Sequence, residues 1–332
     1  MKKRFCGLLL AFCSTTFVYG QYVPNNSQAY QFMPVFNPAF SGVESFTDAK
    51  LSYRYQWAGF GQYAPQFINL GIHLRVKQPL DLSYNSSRTS SMSRARAQRL
   101  PKGKRMIHGF GVNLFQSSVG VVQSVGGGIT YSIHYPVSVN TKLAFGLSSL
   151  IENRKLDITK VSVRDPDEFY NHLLGSSTSQ TDLNVRAGLV LYGDRFYLGA
   201  SYLPLVNVAI QSSDLAMEEP FYRASVQGGL NFALNNDVAV KPSVIGLLTV
   251  SNGIIVDYNI KAFIQEKIFL GLTYRSIETG VALLGFNLND TFTASYSYEM
   301  SVGQFRKFND GSHELVLSAR LKNLKRYKQY TW

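Results

Sequence analysis

Only two cysteines occur in the 332 residues, Cys6 and Cys13, both within the first twenty positions. Charged residues make up 16% of the chain, well below the usual ~25% of a soluble domain. Beyond residue 20 no apolar run approaches the ~18 residues that a spanning helix requires, which excludes a helical membrane protein. The histidines His73, His108, His134, His172 and His313 are scattered, without a metal-ligand spacing such as H-E-x-x-H. No G-x-S-x-G elbow, P-loop or dinucleotide fingerprint occurs. Asp165-Pro166-Asp167-Glu168 clusters carboxylates but lacks the framework of a calcium loop, and reads as a solvated acidic loop. An enzyme is therefore not expected, and neither is a cofactor, a metal or a nucleic-acid partner.

What the chain does have is 20 Tyr and 22 Phe, an aromatic content that argues against disorder. Its first residues read as a secretory signal, 1–20. Lys2, Lys3 and Arg4 precede the apolar stretch Phe5–Phe12, and Val18-Tyr19-Gly20 provides a cleavage site. Cleavage would remove both cysteines and lower the net charge from +12 to +9. Acylation of Cys13 is the alternative, with Phe12 a poor residue to precede it.

From residue 47 onward the pattern has period two. Ala49, Leu51, Tyr53, Tyr55 and Trp57 share one face, while Lys50, Ser52, Arg54 and Gln56 share the other. Ile254, Val256, Tyr258, Ile260, Ala262 and Ile264 alternate likewise with Asp257, Asn259 and Lys261. Such segments are half-buried strands. About fourteen are expected, beginning with 47–57 and 65–76, including 106–116, 125–135, 141–151, 183–192 and 195–203, and ending with 312–321.

Strand length separates two all-β readings. These spans cluster near the ~9–11 residues of a membrane-crossing strand, above the ~5–6 typical of soluble sheets. Tyr, Trp and Phe gather at strand ends, as interface girdles do. The opposite faces carry Lys50, Arg54, Arg75, Lys142, Arg186, Lys261, Arg275 and Arg320. A dry sandwich core could not hold those charges unpaired, whereas a barrel lumen could. The fold class expected is thus all-β: a transmembrane antiparallel β-barrel over 47–321, with a periplasmic or plug segment at 21–46 and a basic tail at 322–332.

Connections alternate in length. Gly193-Asp194, Asn235-Asn236-Asp237, Gln265-Glu266-Lys267 and Asn289-Asp290 are tight, while 152–182, 204–221 and 300–311 are long. Short periplasmic turns and long extracellular loops would put both termini in the periplasm. The 29-residue connection 77–105 breaks the parity.

Several stretches resemble the PorP/SprF family of outer-membrane proteins, associated in Bacteroidota with type IX secretion and gliding motility. They are Ser27-Gln28 and Tyr30 followed by Asn37-Pro38-Ala39-Phe40-Ser41-Gly42; Tyr53-Arg54-Tyr55-Gln56-Trp57 with Ala64-Pro65; and Leu270–Arg275, Ser295–Tyr298 and Ser312-His313-Glu314-Leu315. The resemblance implies a non-enzymatic barrel in outer-membrane lipid that docks or anchors secreted surface-protein cargo and works with secretion or gliding components. Partner-binding residues would then include Asn37, Pro38, Gly42, Arg54, Gln56, Trp57, Pro65, Arg275, Tyr298, His313 and Glu314. Read from the residues alone, Asn37, Pro38 and Gly42 form a turn cluster leading into the first strand. Arg54 and Gln56 line a solvated wall, Glu314 and Arg320 join a lumenal salt-bridge network, and Trp57 is an anchor at the outer rim. A passive porin for small solutes is the main alternative function, and an outer-membrane hydrolase a more distant one.

The positive charge is concentrated in two segments. Residues 77–105 carry a net +7 and residues 322–332 a net +4, leaving −2 for the rest of the mature chain. Arg94, Arg96, Arg99, Lys102, Lys104 and Arg105 could form a periplasmic basic dock for an acidic partner or lie against anionic headgroups.

Overall fold

The structure is a computed structural model. It describes residues 26–76, 106–138, 140–157, 179–211, 222–235, 237–249, 253–302 and 309–321, together with 168, 171, 306 and 307. Residues 26–46 form a compact series of short turns: η1 (Ala29–Phe32), α1 (Met33–Phe36) and η2 (Pro38–Phe40). Fifteen strands follow: β1 (Thr47–Tyr55), β2 (Gln66–Val76), β3 (Ile107–Val119), β4 (Val122–Pro136), β5 (Thr141–Leu156), β6 (Ser179–Gly193), β7 (Phe196–Gln211), β8 (Tyr222–Leu230), β9 (Phe232–Ala233), β10 (Val238–Thr249), β11 (Ile254–Ile264), β12 (Ile268–Arg275), β13 (Thr279–Asn287), β14 (Phe292–Ser301) and β15 (Ser312–Leu321). The two residues of β9 continue β8 past Asn231 and pair with the same neighbour, β10. There are thus fourteen staves, as the alternation predicts.

Each stave pairs antiparallel with its sequence neighbours, and β1 pairs with β15 from Thr47↔Leu321 to Tyr55↔His313. The sheet therefore closes on itself, and closure removes the free edges that an open sheet would offer. Among the described residues no helix is long and apolar enough to cross a membrane; the strands do the crossing.

The burial profile is inverted relative to a soluble protein. Outward Leu51, Leu114, Ile129 and Leu272 are exposed, whereas inward Arg54, Gln227, Lys261 and Glu314 are buried. Apolar side chains outside and polar ones inside are what a hydrocarbon solvent selects.

Calling the rim that holds Thr47 and Leu321 the near rim, its turns are tight and carry their own chemistry. Asn235 Oδ1 accepts from the Asp237 and Val238 amides at 2.9 and 2.7 Å. Asn289 Oδ1 does the same for Thr291 and Phe292 at 2.9 and 2.7 Å. These side-chain turns stop one strand and start the next. The β2–β3 connection leaves from this rim too, and its residues 77–105 lie outside the described set, as do 1–25 and 322–332.

At the far rim the wall is taller than the alternation predicts. β3 to β7 extend to Val119, from Val122, to Leu156, from Ser179 and to Gln211. Parts of the expected loops 152–182 and 204–221 are therefore strand. The added length of β5 and β6 is polar on both faces, so it lacks alternation. It is held by ladder pairs such as Asn153↔Thr181, by Asn153 Nδ2 donating to Ser179 Oγ and Thr181 Oγ1 at 2.9 and 2.8 Å, and by the Arg154–Asp182 ion pair.

Candidate functional site in the plugged lumen

The segment 26–46 lies inside the barrel and is buried almost throughout. Local chemistry shapes it first. The Asn37 side chain accepts from the Ala39 amide at 3.0 Å, and Pro38 occupies the first helical position of η2. An Asn cap followed by Pro is a strong helix start. Gly42 closes the run at φ +74°, a conformation glycine adopts freely.

The wall opposite this run is built to receive it. A Cβ placed on Gly146 would lie 2.3 Å from the Ala39 nitrogen, and one on Gly188 would lie 2.0 Å from Asn37 Oδ1. Only the absence of wall side chains lets the Ala39 backbone and the Asn37 side chain come so close. Asn37 Nδ2 then reaches the Leu189 and Ala200 carbonyls at 3.1 and 3.2 Å and Gln227 Oε1 at 3.0 Å. Ser201 and Ser225 hydroxyls both donate to the Phe36 carbonyl, at 2.7 and 3.1 Å. The Ser41 carbonyl accepts from Ser132 Oγ at 2.5 Å and from His134 Nε2 at 2.8 Å. A carbonyl can only accept, so Nε2 carries the His134 proton and Nδ1 accepts from Tyr192 Oη at 2.9 Å. Between these anchors Met33, Phe36, Phe40 and Val43 pack on Val190, Tyr197, Ile245 and Leu247, with Phe40 edge-on to Tyr197 at 5.6 Å.

The beginning of the plug meets a different surface. Glu314 accepts the backbone amides of Ser27 and Gln28 at 2.5 and 3.2 Å. Ser27 Oγ donates to Glu299 at 2.8 Å, and Glu299 also pairs with Arg54 at 2.9 Å and with Arg275 at 3.6 Å. Arg275 bonds both oxygens of Asp257, at 2.8 and 3.0 Å, and the Asn26 carbonyl at 3.3 Å. Lys50 donates to Asp48 at 2.5 Å and to the Gln31 carbonyl at 2.7 Å. Buried charges persist where they are paired and hydrogen-bonded. Lys50, Arg54, Glu299, Arg275 and Asp257 each have an ion-pair partner here, and Glu314 is held by the two plug amides. Lys261 Nζ sits 3.7 Å from the centroid of the Tyr30 ring, a cation–π contact. Burial, reinforced by Glu314, raises the Tyr30 phenol above its ordinary range, so it is neutral.

The cavity among Gln31, Phe40, Glu44, Lys50 and His73 is about 20 Å³, room for roughly one water. Of the inward charges that alternation assigns to a hydrated wall, Lys50, Lys261 and Arg275 instead contact the plug directly, and Arg54 reaches it through Glu299.

The residues singled out from sequence separate into three places. Asn37, Pro38, Gly42, Arg54, Gln56, Arg275 and Glu314 are buried at the plug or the wall facing it. Pro65 is buried at the far rim, its carbonyl accepting from the Gln56 amide at 2.8 Å. Trp57 (φ 55°), Tyr298 and His313 lie toward the outside of that rim. Trp57 is 5.9 Å from Phe60, Tyr298 Oη donates to the Asp310 carbonyl at 3.1 Å, and His313 Nδ1 is 2.6 Å from Tyr296 Oη. Arg94, Arg96, Arg99, Lys102, Lys104 and Arg105 lie outside the described residues. Sequence reasoning missed Asp257 and Glu299 as ion-pair partners and Gly146, Gly188 and Gly109 as seats, the last facing the Ser41 carbonyl, which a Cβ there would meet at 2.2 Å. A signal existed: carboxylates and glycines on the inward phase of strands whose outward phase is apolar.

With this geometry established, comparison with known proteins adds the following. A family model described as type IX secretion system membrane protein PorP/SprF matches residues 18–319. Among solved structures, the outer membrane protein Omp33 of Acinetobacter baumannii is similar over 84% of this chain and 100% of its own, at 8% identity and TM-score 0.46. The CymD monoaromatic hydrocarbon channel is similar over 89% and 91%, at 12% identity and TM-score 0.46. A FadL homologue from Pseudomonas aeruginosa is similar over 90% and 94%, at 11% identity and TM-score 0.46. No curated protein matches the chain significantly in sequence.

Proposed function

Because the chain belongs to the PorP/SprF family of type IX secretion system membrane proteins, we propose that it is a non-enzymatic outer-membrane barrel that docks or anchors secreted surface proteins. The observation that carries this reading is the filled lumen. A passive porin works through an aqueous path wide enough for its solute. Here residues 26–46 occupy that path, and polar and charged groups of the wall are consumed in holding them. A sealed barrel is suited to presenting a rim to a protein partner without leaking solute.

In this proposal the far rim faces the cell exterior, with its tall wall over β3–β7, and the near rim faces the periplasm. The segment 77–105 emerges between Val76 and Ile107 on the periplasmic side. Its Arg94, Arg96, Arg99, Lys102, Lys104 and Arg105 dock an acidic periplasmic component of the secretion or gliding machinery. Export proceeds through the signal at 1–20.

The test is deletion of the gene followed by comparison of the surface proteome. Loss of one or a few large surface proteins while general secretion continues supports docking; an unaltered surface proteome overturns it. Single cysteines in 158–178 and 212–221 test the orientation. They should react with an impermeant maleimide on intact cells, and labelling only after outer-membrane permeabilisation inverts it.

A further inference from the structure

The outer surface of β11–β14 carries a cleft of about 350 Å³ close to the far rim. Its origin lies in two cross-strand rows of outward residues. In one, Leu272 and Tyr298 flank Ala282. In the other, Tyr274 and Met300 flank Gly280. Two small residues on β13 thus lie between bulky walls on β12 and β14, and the stave between them is bare.

Nothing in the fold demands glycine at 280. Its φ is not in the left-handed region, and a Cβ there would meet only Val302 and Met300, at 3.7 and 3.9 Å, which is ordinary contact. This differs from Gly146 and Gly188, whose missing side chains admit the plug. At Gly280 the missing side chain leaves a groove open to the surroundings.

Those surroundings are hydrocarbon, since outward Leu272 (63% exposed) and Tyr274 (51% exposed) belong to the apolar exterior. In lipid, contact depends on shape and dispersion and not on a hydrophobic drive; an unfilled groove forfeits those contacts. We propose that this cleft binds one acyl chain of a membrane lipid. The chain lies along β13 between Leu272 and Tyr298, with the Tyr274 and Tyr258 rings at headgroup level, where interfacial aromatics reside.

The experiment uses the full-length protein in proteoliposomes doped with a phospholipid bearing a diazirine near the end of one acyl chain. After photolysis, peptides are mapped by mass spectrometry. The proposal expects adducts concentrated in residues 272–300. They should fall by about tenfold, equivalent to about 1.4 kcal/mol of binding, in Gly280→Leu/Ala282→Leu. Ala187→Leu, which adds bulk to an outward residue on β6, should leave them unchanged. If the double variant does not reach the folded, heat-modifiable form, Ala282→Leu alone serves, with a smaller fall in the same peptides. Adducts spread evenly around the barrel, or unchanged by filling, mean an ordinary lipid annulus and overturn the proposal. Benzophenone placed at Leu272 in cells gives a second readout. A protein adduct there in place of lipid also overturns it.

Discussion

The two halves of the plug are held by opposite means. Residues 37–42 rest on a wall stripped of side chains, where Gly146 admits the plug backbone at Ala39, Gly188 admits the Asn37 side chain and Asn37 satisfies acceptors on three strands. Residues 26–31 rest on a wall crowded with charge, where Glu314, Glu299, Arg54, Arg275 and Asp257 form one connected set. The first half is specified by shape and the second by electrostatics. Shape fails when volume is added; a buried ion network fails when a member is removed. That asymmetry can be broken experimentally from either side.

The largest effect is expected on the charged side. Arg275→Met leaves Asp257 and Glu299 short of their shared guanidinium in a dry site. Removing one member of a buried set costs about 3–5 kcal/mol. The folded fraction, followed by heat-modifiable gel mobility against urea, should fall accordingly. Adding Asp257→Asn should recover part of the loss, because it removes one of the two stranded charges. A loss below about 1 kcal/mol would mean that water has replaced the guanidinium.

On the glycine side, Gly188→Ala and Gly146→Ala should each destabilise by about 1–3 kcal/mol, the range for overpacking, and should loosen the plug. Gly228→Ala sharpens the contrast. A Cβ there meets nothing nearer than Leu198 Cδ1 at 3.9 Å, so stability should be unchanged within about 0.5 kcal/mol. Equal effects at all three positions would mean a generic cost of replacing glycine in a strand, not a seat.

The smallest effect is expected at Ser27→Ala, which removes the hydroxyl bond to Glu299 while leaving both arginine contacts of that carboxylate. A loss of about 1 kcal/mol is expected, seen as a small shift of the urea midpoint. A loss as large as that of Arg275→Met would show that the plug, and not the wall, holds Glu299 in place.

The same contrast explains what could be read in advance. Alternation depends on one face meeting lipid, so the barrel and its fourteen staves were legible wherever Leu, Ile and Tyr alternate with Ser, Asn and Lys. It fails above that zone. Glu152, Asn153 and Arg154 are polar on both faces, and Leu205–Ile210 is apolar with one interruption, so neither stretch carries period two. The Asn37-Pro38…Gly42 run was legible as a turn cluster because capping and positive φ are local properties. Its seat was not, because a glycine admitting another backbone looks the same in sequence as one in a flexible turn. Arg54, Arg275 and Glu314 were visible as inward charges. Their pairing is set by closure of the barrel and by Ser27 and Gln28, at a separation of more than 280 residues from Glu314, which no spacing rule encodes.

The central claim is that residues 26–46 seal the barrel, and the most direct measurement is conductance in planar bilayers. The wild-type protein is compared with a variant lacking 26–46 and with Gly188→Ala. Silent wild-type insertions, a steadily conducting deletion variant, and intermittent openings in Gly188→Ala are the expected results. A stable open pore in the wild type, indistinguishable from that of the deletion, would contradict the seal and favour a porin.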